Sequence, residues 1–263
     1  MADEQAIGIF DSGVGGLSVL RHIRNRLPHE SLVYIADSAY MPYGCKTESL
    51  IRQRCVEVSS FLSRKQCKAI VVACNTATAA AVQHLRALYT FPVIGMEPAV
   101  KPAVFQSRSK VIGVLTTSAT SSSDKFNRLA ERFSQHARLI VQPCPGLVEQ
   151  IETGDLNGGE IRNMLASFLQ PLIEQGMDTL VLGCTHYPFI TALIREIAGE
   201  DIHMIDTGDA IACELERQLQ RRHLLSESGD SSVAFWTSGN PETVAPVMSS
   251  LWGESVRVNK LPC

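Results

Sequence analysis

The chain has 263 residues, of which 45% are apolar and 19% charged, and carries a net charge of −3. This is enough for one large or two medium-sized α/β domains with a proper core, and the charge offers no basic excess for a nucleic-acid backbone. No apolar run approaches the ~18 residues that span a bilayer, and Met1-Ala2-Asp3-Glu4-Gln5 lacks the regions of a secretory signal, so the expectation is a soluble cytoplasmic protein with neither nucleic-acid nor membrane partners.

The first hundred residues alternate strand and helix. Ile7-Gly8-Ile9-Phe10 reads as a strand, followed by a helix from about Gly16 to Arg26 and a second strand Leu32–Ala36. A long amphipathic helix opens at Thr47-Glu48 with an N-terminal cap and presents a Cys55, Val58, Phe61, Leu62 stripe. A third strand runs to Cys74, and Pro92-Val93-Ile94-Gly95 makes a short fourth. Such alternation predicts a doubly wound parallel sheet.

Glu97-Pro98-Ala99-Val100-Lys101-Pro102 marks a crossing, because its prolines restrict the chain. A second series follows, with strands at Val111–Leu115, Arg138–Val141, Asp178–Leu182 and Ile202–Ile205. It reads as a degenerate duplication of the first: Ile9–Gly13 corresponds to Val114–Ser118, and Cys74 to Cys184. A second crossing near Asp206-Thr207-Gly208 returns the last segment, with Val233–Trp236, to the first half. The expected architecture is therefore α/β, two pseudo-symmetric doubly wound parallel-sheet domains, 1–97 plus 208–263 and 98–207, with the active site in the cleft between them.

Eight cysteines are scattered without a CxxC pair, at 45, 55, 67, 74, 144, 184, 213 and 263, so neither a disulfide framework nor a zinc site is expected. Cys55 and Cys213 fall inside helical patterns and read as small buried apolar residues. Cys74 and Cys184 differ from the rest. Each ends a run that reads as a buried strand, Ala69–Ala73 or Thr179–Gly183, and each is followed by a polar step, Asn75-Thr76 or Thr185-His186, that opens a helix. A thiol at the carboxyl end of a central strand points into the crevice where open α/β sheets bind ligands. Two such thiols suit proton removal from one face of a carbon and return to the other. The polar steps also read as ordinary helix caps.

Asp11-Ser12-Gly13-Val14-Gly15-Gly16, with Asp37 closing the second strand, imitates a dinucleotide fingerprint. The third glycine fails at Ser18, so a smaller anion such as a carboxylate fits this helix N-terminus better. Asp11 is then placed to meet a substrate ammonium or to orient a base. Cys184-x-His186 also fits a cysteine hydrolase, though that reading leaves Cys74 without a role. A two-lobed amino-acid-binding protein fits the crevice but has no use for twin thiols.

Phe10–Leu17, Pro42-Tyr43-Gly44, Ala73-Cys74-Asn75-Thr76-Ala77 and Leu182–Pro188 together resemble the glutamate racemase family of the aspartate/glutamate racemase superfamily along nearly the whole chain. The resemblance implies interconversion of L- and D-glutamate, supply of D-glutamate to peptidoglycan synthesis, and no cofactor or metal. It implies Cys74 and Cys184 as the catalytic pair, with Asp11, Glu152 and His186 assisting. For substrate it implies Asp11, Ser12, Tyr43, Gly44, Asn75, Thr76, Thr120, Thr185 and His186. Thr117 and Thr120 fit the family's Gly-Thr-x-x-Thr segment, in which Thr116 here replaces the glycine. Around Tyr43 the chain reads Ser38-Ala39-Tyr40-Met41-Pro42, where many relatives have a Thr-Ala-Arg run. A homodimer is compatible with the sequence, which does not set the oligomeric state.

Overall fold

Every residue of Ile7–Asp11 (β1) is buried, as a strand covered on both faces must be. It opens the series α1 (Leu17–Arg26), β2 (Leu32–Ala36), α2 (Glu48–Arg64), β3 (Ala69–Val72), α3 (Asn75–Leu88) and β4 (Val93–Ile94). Next come α4 (Val100–Gln106), β5 (Val111–Thr116), α5 (Ser118–Ser121), α6 (Asp124–Phe133), β6 (Arg138–Pro143), α7 (Leu147–Glu152), α8 (Gly159–Glu174), β7 (Thr179–Leu182), α9 (Thr191–Ala198) and β8 (His203–Ile205). α10 (Gly208–Arg221), β9 (Val233–Thr237), α11 (Pro241–Trp252) and β10 (Val258–Lys260) complete the chain. This computed structural model describes residues 5–226 and 231–262. Met1–Glu4 and Cys263, both weighed in the sequence, lie outside the described residues.

Described residues up to Met96 and from Gly208 onward form one compact unit, and Glu97–Thr207 a second. The first unit holds a six-stranded sheet in the order β10-β9-β2-β1-β3-β4, and the second a four-stranded sheet in the order β6-β5-β7-β8. All pairings are parallel. The orders β2-β1-β3-β4 and β6-β5-β7-β8 are the same winding, which is the duplication legible in the sequence. In each, the chain steps one way from the first strand to the second and then jumps back over it. That reversal makes a topological switch point between β1 and β3, and another between β5 and β7, where open α/β sheets bind ligands.

In the first unit α2 and α3 pack together over one core, in which Cys55, Val58, Phe61 and Leu62 meet Phe10, Ile70 and Val72. α1 packs against α10. β9 is held against β2 partly by Phe235, whose ring meets Tyr34 edge-on at 6.3 Å.

Three local expectations are corrected. The third strand stops at Val72, and Cys74 is already the cap of α3. Cys184 opens no α-helix directly, because a 3₁₀ turn, Tyr187–Ile190, precedes α9. Cys213 is half-exposed, since the buried stripe of α10 runs through Ile211, Ala212, Leu215 and Leu219 and position 213 turns off it.

Candidate active site

The carboxyl edge of the first sheet brings Asp11, Asp37 and Cys74 together by backbone hydrogen bonds, from Asp37 N–H to Asp11 O at 2.9 Å and from Ala73 N–H to Phe10 O at 2.8 Å. Cys74 is in extended backbone, and its Sγ accepts the Ala77 N–H at 3.4 Å, so the sulfur itself caps α3. A helix N-terminus favours negative charge, so this position suits a thiolate. Ser12 Oγ stands 3.9 Å from the sulfur.

Beside the thiol, the side-chain oxygen and nitrogen of Asn75 are both buried and have no hydrogen-bond partner among the described residues. A buried unpaired amide costs about 1–3 kcal/mol. That expense is explained if a ligand completes the amide's bonds.

Asp11 is fully buried. One carboxylate oxygen accepts Ser12 N–H and the other Gly16 N–H, each at 2.6 Å. The helix N-terminus that the sequence offered to an external carboxylate thus spends two donors on the protein's own. Gly16 is required here: a Cβ would come within 2.8 Å of Asp11 Cβ and 2.9 Å of the Tyr34 hydroxyl.

Tyr43, also buried, donates its hydroxyl to Asp37 Oδ2 at 2.6 Å. Burial first, and then the Asp37 carboxylate and the neighbouring Cys55 and Cys74 thiols, push its phenol far above the ordinary range, so it remains a neutral donor. Tyr43, Cys74 and Ala77 share one core cluster. Gly44 follows in the same 3₁₀ turn, and Thr76 is buried in the first turn of α3.

In the second unit Gly183 carries the chain from β7 to Cys184, and a Cβ there would meet the Leu115 carbonyl oxygen at 2.5 Å. Only glycine permits this approach of two backbones. Cys184 Sγ lies 3.6 Å from His186 Nδ1, and His186 Nε2 lies 2.7 Å from Glu152 Oε1. Burial alone pushes His186 down. The hydrogen bonds and charges of Cys184 and Glu152 outweigh it and lift the imidazole well above its usual range.

Thr185 is buried beside this relay, and Thr120 is buried with its hydroxyl accepting from Thr117 at 3.0 Å. The Thr116 hydroxyl, where the family pattern has a glycine, is buried without a partner among the described residues. Tyr187 donates to the Thr116 carbonyl at 3.2 Å and pins the turn that follows the thiol. Cys144, near Tyr187, is pushed up to about 12 chiefly by burial and stays an inert thiol.

The anticipated residues therefore fall into two groups. Asp11, Ser12, Tyr43, Gly44, Cys74, Asn75 and Thr76 gather at one switch point, and Thr120, Glu152, Cys184, Thr185 and His186 belong to the second unit. Among the described residues no group of three or more His, Cys, Asp or Glu is arranged to hold a metal ion, and no helix is long and apolar enough to cross a membrane.

A family model described as Asp/Glu/Hydantoin racemase matches residues 8–215. The chain belongs to that family. Over 264 residues, the whole of both chains, it is 55% identical to a glutamate racemase of Stutzerimonas stutzeri (strain A1501). Its fold matches the crystal structure of a glutamate racemase isoform from Bacillus anthracis with a TM-score of 0.90 at 31% identity, covering 99% of this chain and 98% of the other. The Escherichia coli glutamate racemase, crystallised with L-glutamate and the activator UDP-MurNAc-Ala, matches with a TM-score of 0.86 at 29% identity, covering 97% of each chain.

Within this racemase-family fold, one charged pair escaped the sequence reading. Arg54 bonds both oxygens of the fully buried Asp37, Nε to Oδ2 at 3.0 Å and Nη2 to Oδ1 at 2.8 Å. A signal existed: Arg54 falls on the apolar stripe of α2 between Ile51 and Val58, where a charge needs a buried partner.

Proposed function

We propose that this chain interconverts L- and D-glutamate without a cofactor, Cys74 and Cys184 acting as the two bases. The single observation that carries the reading is the doubled arrangement: a thiol two residues beyond the inner strand at the switch point of each like-wound sheet. The substrate comes from the relatives, several of which are named glutamate racemases and one of which was crystallised with L-glutamate.

In the proposed reaction a thiolate takes the Cα proton from one face, and the freed electron pair moves into the α-carboxylate. The opposite thiol then delivers its proton to the other face. Each turnover thus leaves the two sulfurs with exchanged protonation states, and the reverse reaction restores them. Cys184 takes the proton from L-glutamate and Cys74 from D-glutamate. The Tyr43–Gly44 turn holds a substrate carboxylate throughout, and the Asn75 amide meets the developing charge, where one well-placed donor is worth about 3 kcal/mol. Asp11 and Ser12 order the Cys74 side, and His186 with Glu152 the Cys184 side. The D-glutamate formed supplies peptidoglycan synthesis, as the family resemblance implies.

The test is racemisation of L-glutamate in D₂O. Product carries deuterium at Cα while unreacted substrate initially keeps its proton. Early deuterium in the remaining substrate would indicate a single base or rapid return of the proton. A hydrolase reading has one supporting observation, the Cys184–His186–Glu152 alignment, and leaves Cys74 and the unpaired Asn75 amide unused. It predicts full activity for Cys74→Ser, whereas the racemase reading predicts loss of turnover in both directions.

A further inference from the structure

The segment from Asp37 to Thr47 joins β2 to α2 through two 3₁₀ turns, Ser38–Tyr40 and Tyr43–Cys45. Arg54, one and a half helical turns into α2, grips it at three places. Its guanidinium takes both oxygens of Asp37 at the start of the segment. Its Cζ lies 3.9 Å from the centre of the Tyr40 ring at the end of the first turn. Through Asp37 Oδ2 it reaches the Tyr43 hydroxyl in the second turn. Arg54 also pairs with Glu57 on its own helix.

We propose that Arg54 is a positioning residue for glutamate binding, acting through Asp37 on the Tyr43–Gly44 turn. The proposal rests on the reading of that turn as a substrate contact. A carboxylate with both oxygens in an arginine fork has a fixed plane. Tyr43 must then donate to the lone pair that remains, and its buried ring has one orientation beside Cys74. Without the fork, Asp37 is a fully buried carboxylate facing a single hydroxyl, and the turn has no reason to keep that register. The expected effect is on binding: the turn holds substrate and transition state alike, so KM rises with kcat little changed.

The surroundings of Arg54 provide an unusual test. It lines a groove of about 530 Å³ on the first unit, together with Tyr40, Glu57, Arg64 and Lys260. Truncating Arg54 to alanine enlarges that groove by the shape of a guanidinium next to Asp37, so a small planar cation from solution can refill it. Arg54→Ala is expected to raise KM for both enantiomers by about tenfold or more. Millimolar guanidinium restores it towards wild type, whereas urea, of the same shape but neutral, does not. Arg64→Ala, in the same groove but with its guanidinium over the Phe61 ring, keeps wild-type kinetics.

Unchanged KM in Arg54→Ala, or a raised KM that guanidinium does not improve, overturns the proposal. If Arg54→Ala does not fold, Arg54→Lys takes its place: it keeps the charge and loses the fork, and a KM equal to wild type is then the overturning result. Tyr43→Phe separates the two levels. If Tyr43→Phe raises KM and the Arg54 variants do not, the positioning role alone fails. If Tyr43→Phe and substitutions at Gly44 leave KM untouched, the turn is not a substrate contact and the underlying reading fails.

Discussion

His186 stands with Nε2 2.7 Å from Glu152 Oε1, and this contact orders the surroundings of Cys184 in the second unit. The carboxylate fixes the ring, and the other ring nitrogen faces the sulfur at 3.6 Å. The Cys74 sulfur, by contrast, takes a helix N–H, that of Ala77. Two solutions to the same electrostatic problem, an imidazolium and a helix terminus, thus occupy equivalent places in the two like-wound sheets.

The raised titration of His186 has a direction in pH. Its charge is present below the ordinary histidine range and persists above it, and it is lost only as pH climbs through the raised folded value. Glu152→Gln removes one of the groups that lift it. The alkaline limb of kcat for L-glutamate should therefore move to lower pH in Glu152→Gln and disappear in His186→Asn. At neutral pH kcat falls about 100-fold or more, most in the L-to-D direction, in line with the loss of one general acid–base helper. KM values shift so that the two kcat/KM values stay equal, because enantiomers have equal free energy. Equal kcat losses in both directions would remove the assignment of Cys184 to L-glutamate.

Much of the winding was legible because the strands are buried on both faces and read as continuous apolar runs, as in Ala69–Val72 and Thr179–Leu182. The return of the last segment was legible too, and β9 pairs with β2. What escaped was information that only packing creates. Cys74 looked like a strand residue with Asn75 as the cap, yet the thiol accepts the Ala77 N–H, because sulfur is the atom that reaches it there. Asp37 looked like part of a failed nucleotide motif, and its partner lies 17 residues on, in another element. The glycine loop looked like an open anion site, while Asp11 folds back onto two of its donors. Periodicity marks at most one member of such a pair, as it does for Arg54 on the apolar stripe of α2, and not the partner it meets.

Asn75 should show opposite effects on stability and activity. Its buried amide is unpaired in the free protein, so Asn75→Ala relieves a cost of about 1–3 kcal/mol and leaves the melting temperature unchanged or higher. The same change lowers kcat/KM about 10–100-fold if the amide bonds substrate. Glutamate should raise the melting temperature of the wild type more than that of the variant. A variant that is both less stable and fully active would place the amide outside the site.

Lys68 and Glu30 form an ion pair at 2.7 Å with both side chains 1% exposed, at the amino ends of β3 and β2 and so at the far edge of the sheet from Cys74. Glu30 also accepts the Ser226 N–H at 2.9 Å, which ties down the segment after α10. Lys68→Met leaves a buried uncompensated carboxylate and should cost about 3–5 kcal/mol in denaturant unfolding. Replacing both partners, as Lys68→Met with Glu30→Leu, should recover most of that loss. KM and kcat of the folded fraction stay at wild-type values in both cases. A single variant with unchanged stability would show that the pair contributes nothing.

Asp178, just before β7, accepts hydrogen bonds from Ser107 Oγ at 2.6 Å, Arg108 N at 2.7 Å, Ser109 N at 2.6 Å and Thr179 Oγ1 at 2.8 Å. Burial pushes the carboxyl up, but these four donors outweigh it and hold it below the usual carboxylate range. A depressed folded value means that the stabilisation is complete above the unfolded carboxylate pKa of about 3.9 and drains away as pH falls below it. Asp178→Asn keeps the shape and loses the charge, and at neutral pH it should cost about 1.5–3 kcal/mol, the range for hydrogen bonds to a charged group. The loss should be read against pH. Between neutrality and pH 4 the variant melts below wild type by a constant margin, and below pH 4 the two curves converge, since the wild type alone has a charge to lose at this site. Parallel curves down to the acid limit would show that Asp178 is held by packing rather than by hydrogen bonds to its ionised carboxylate.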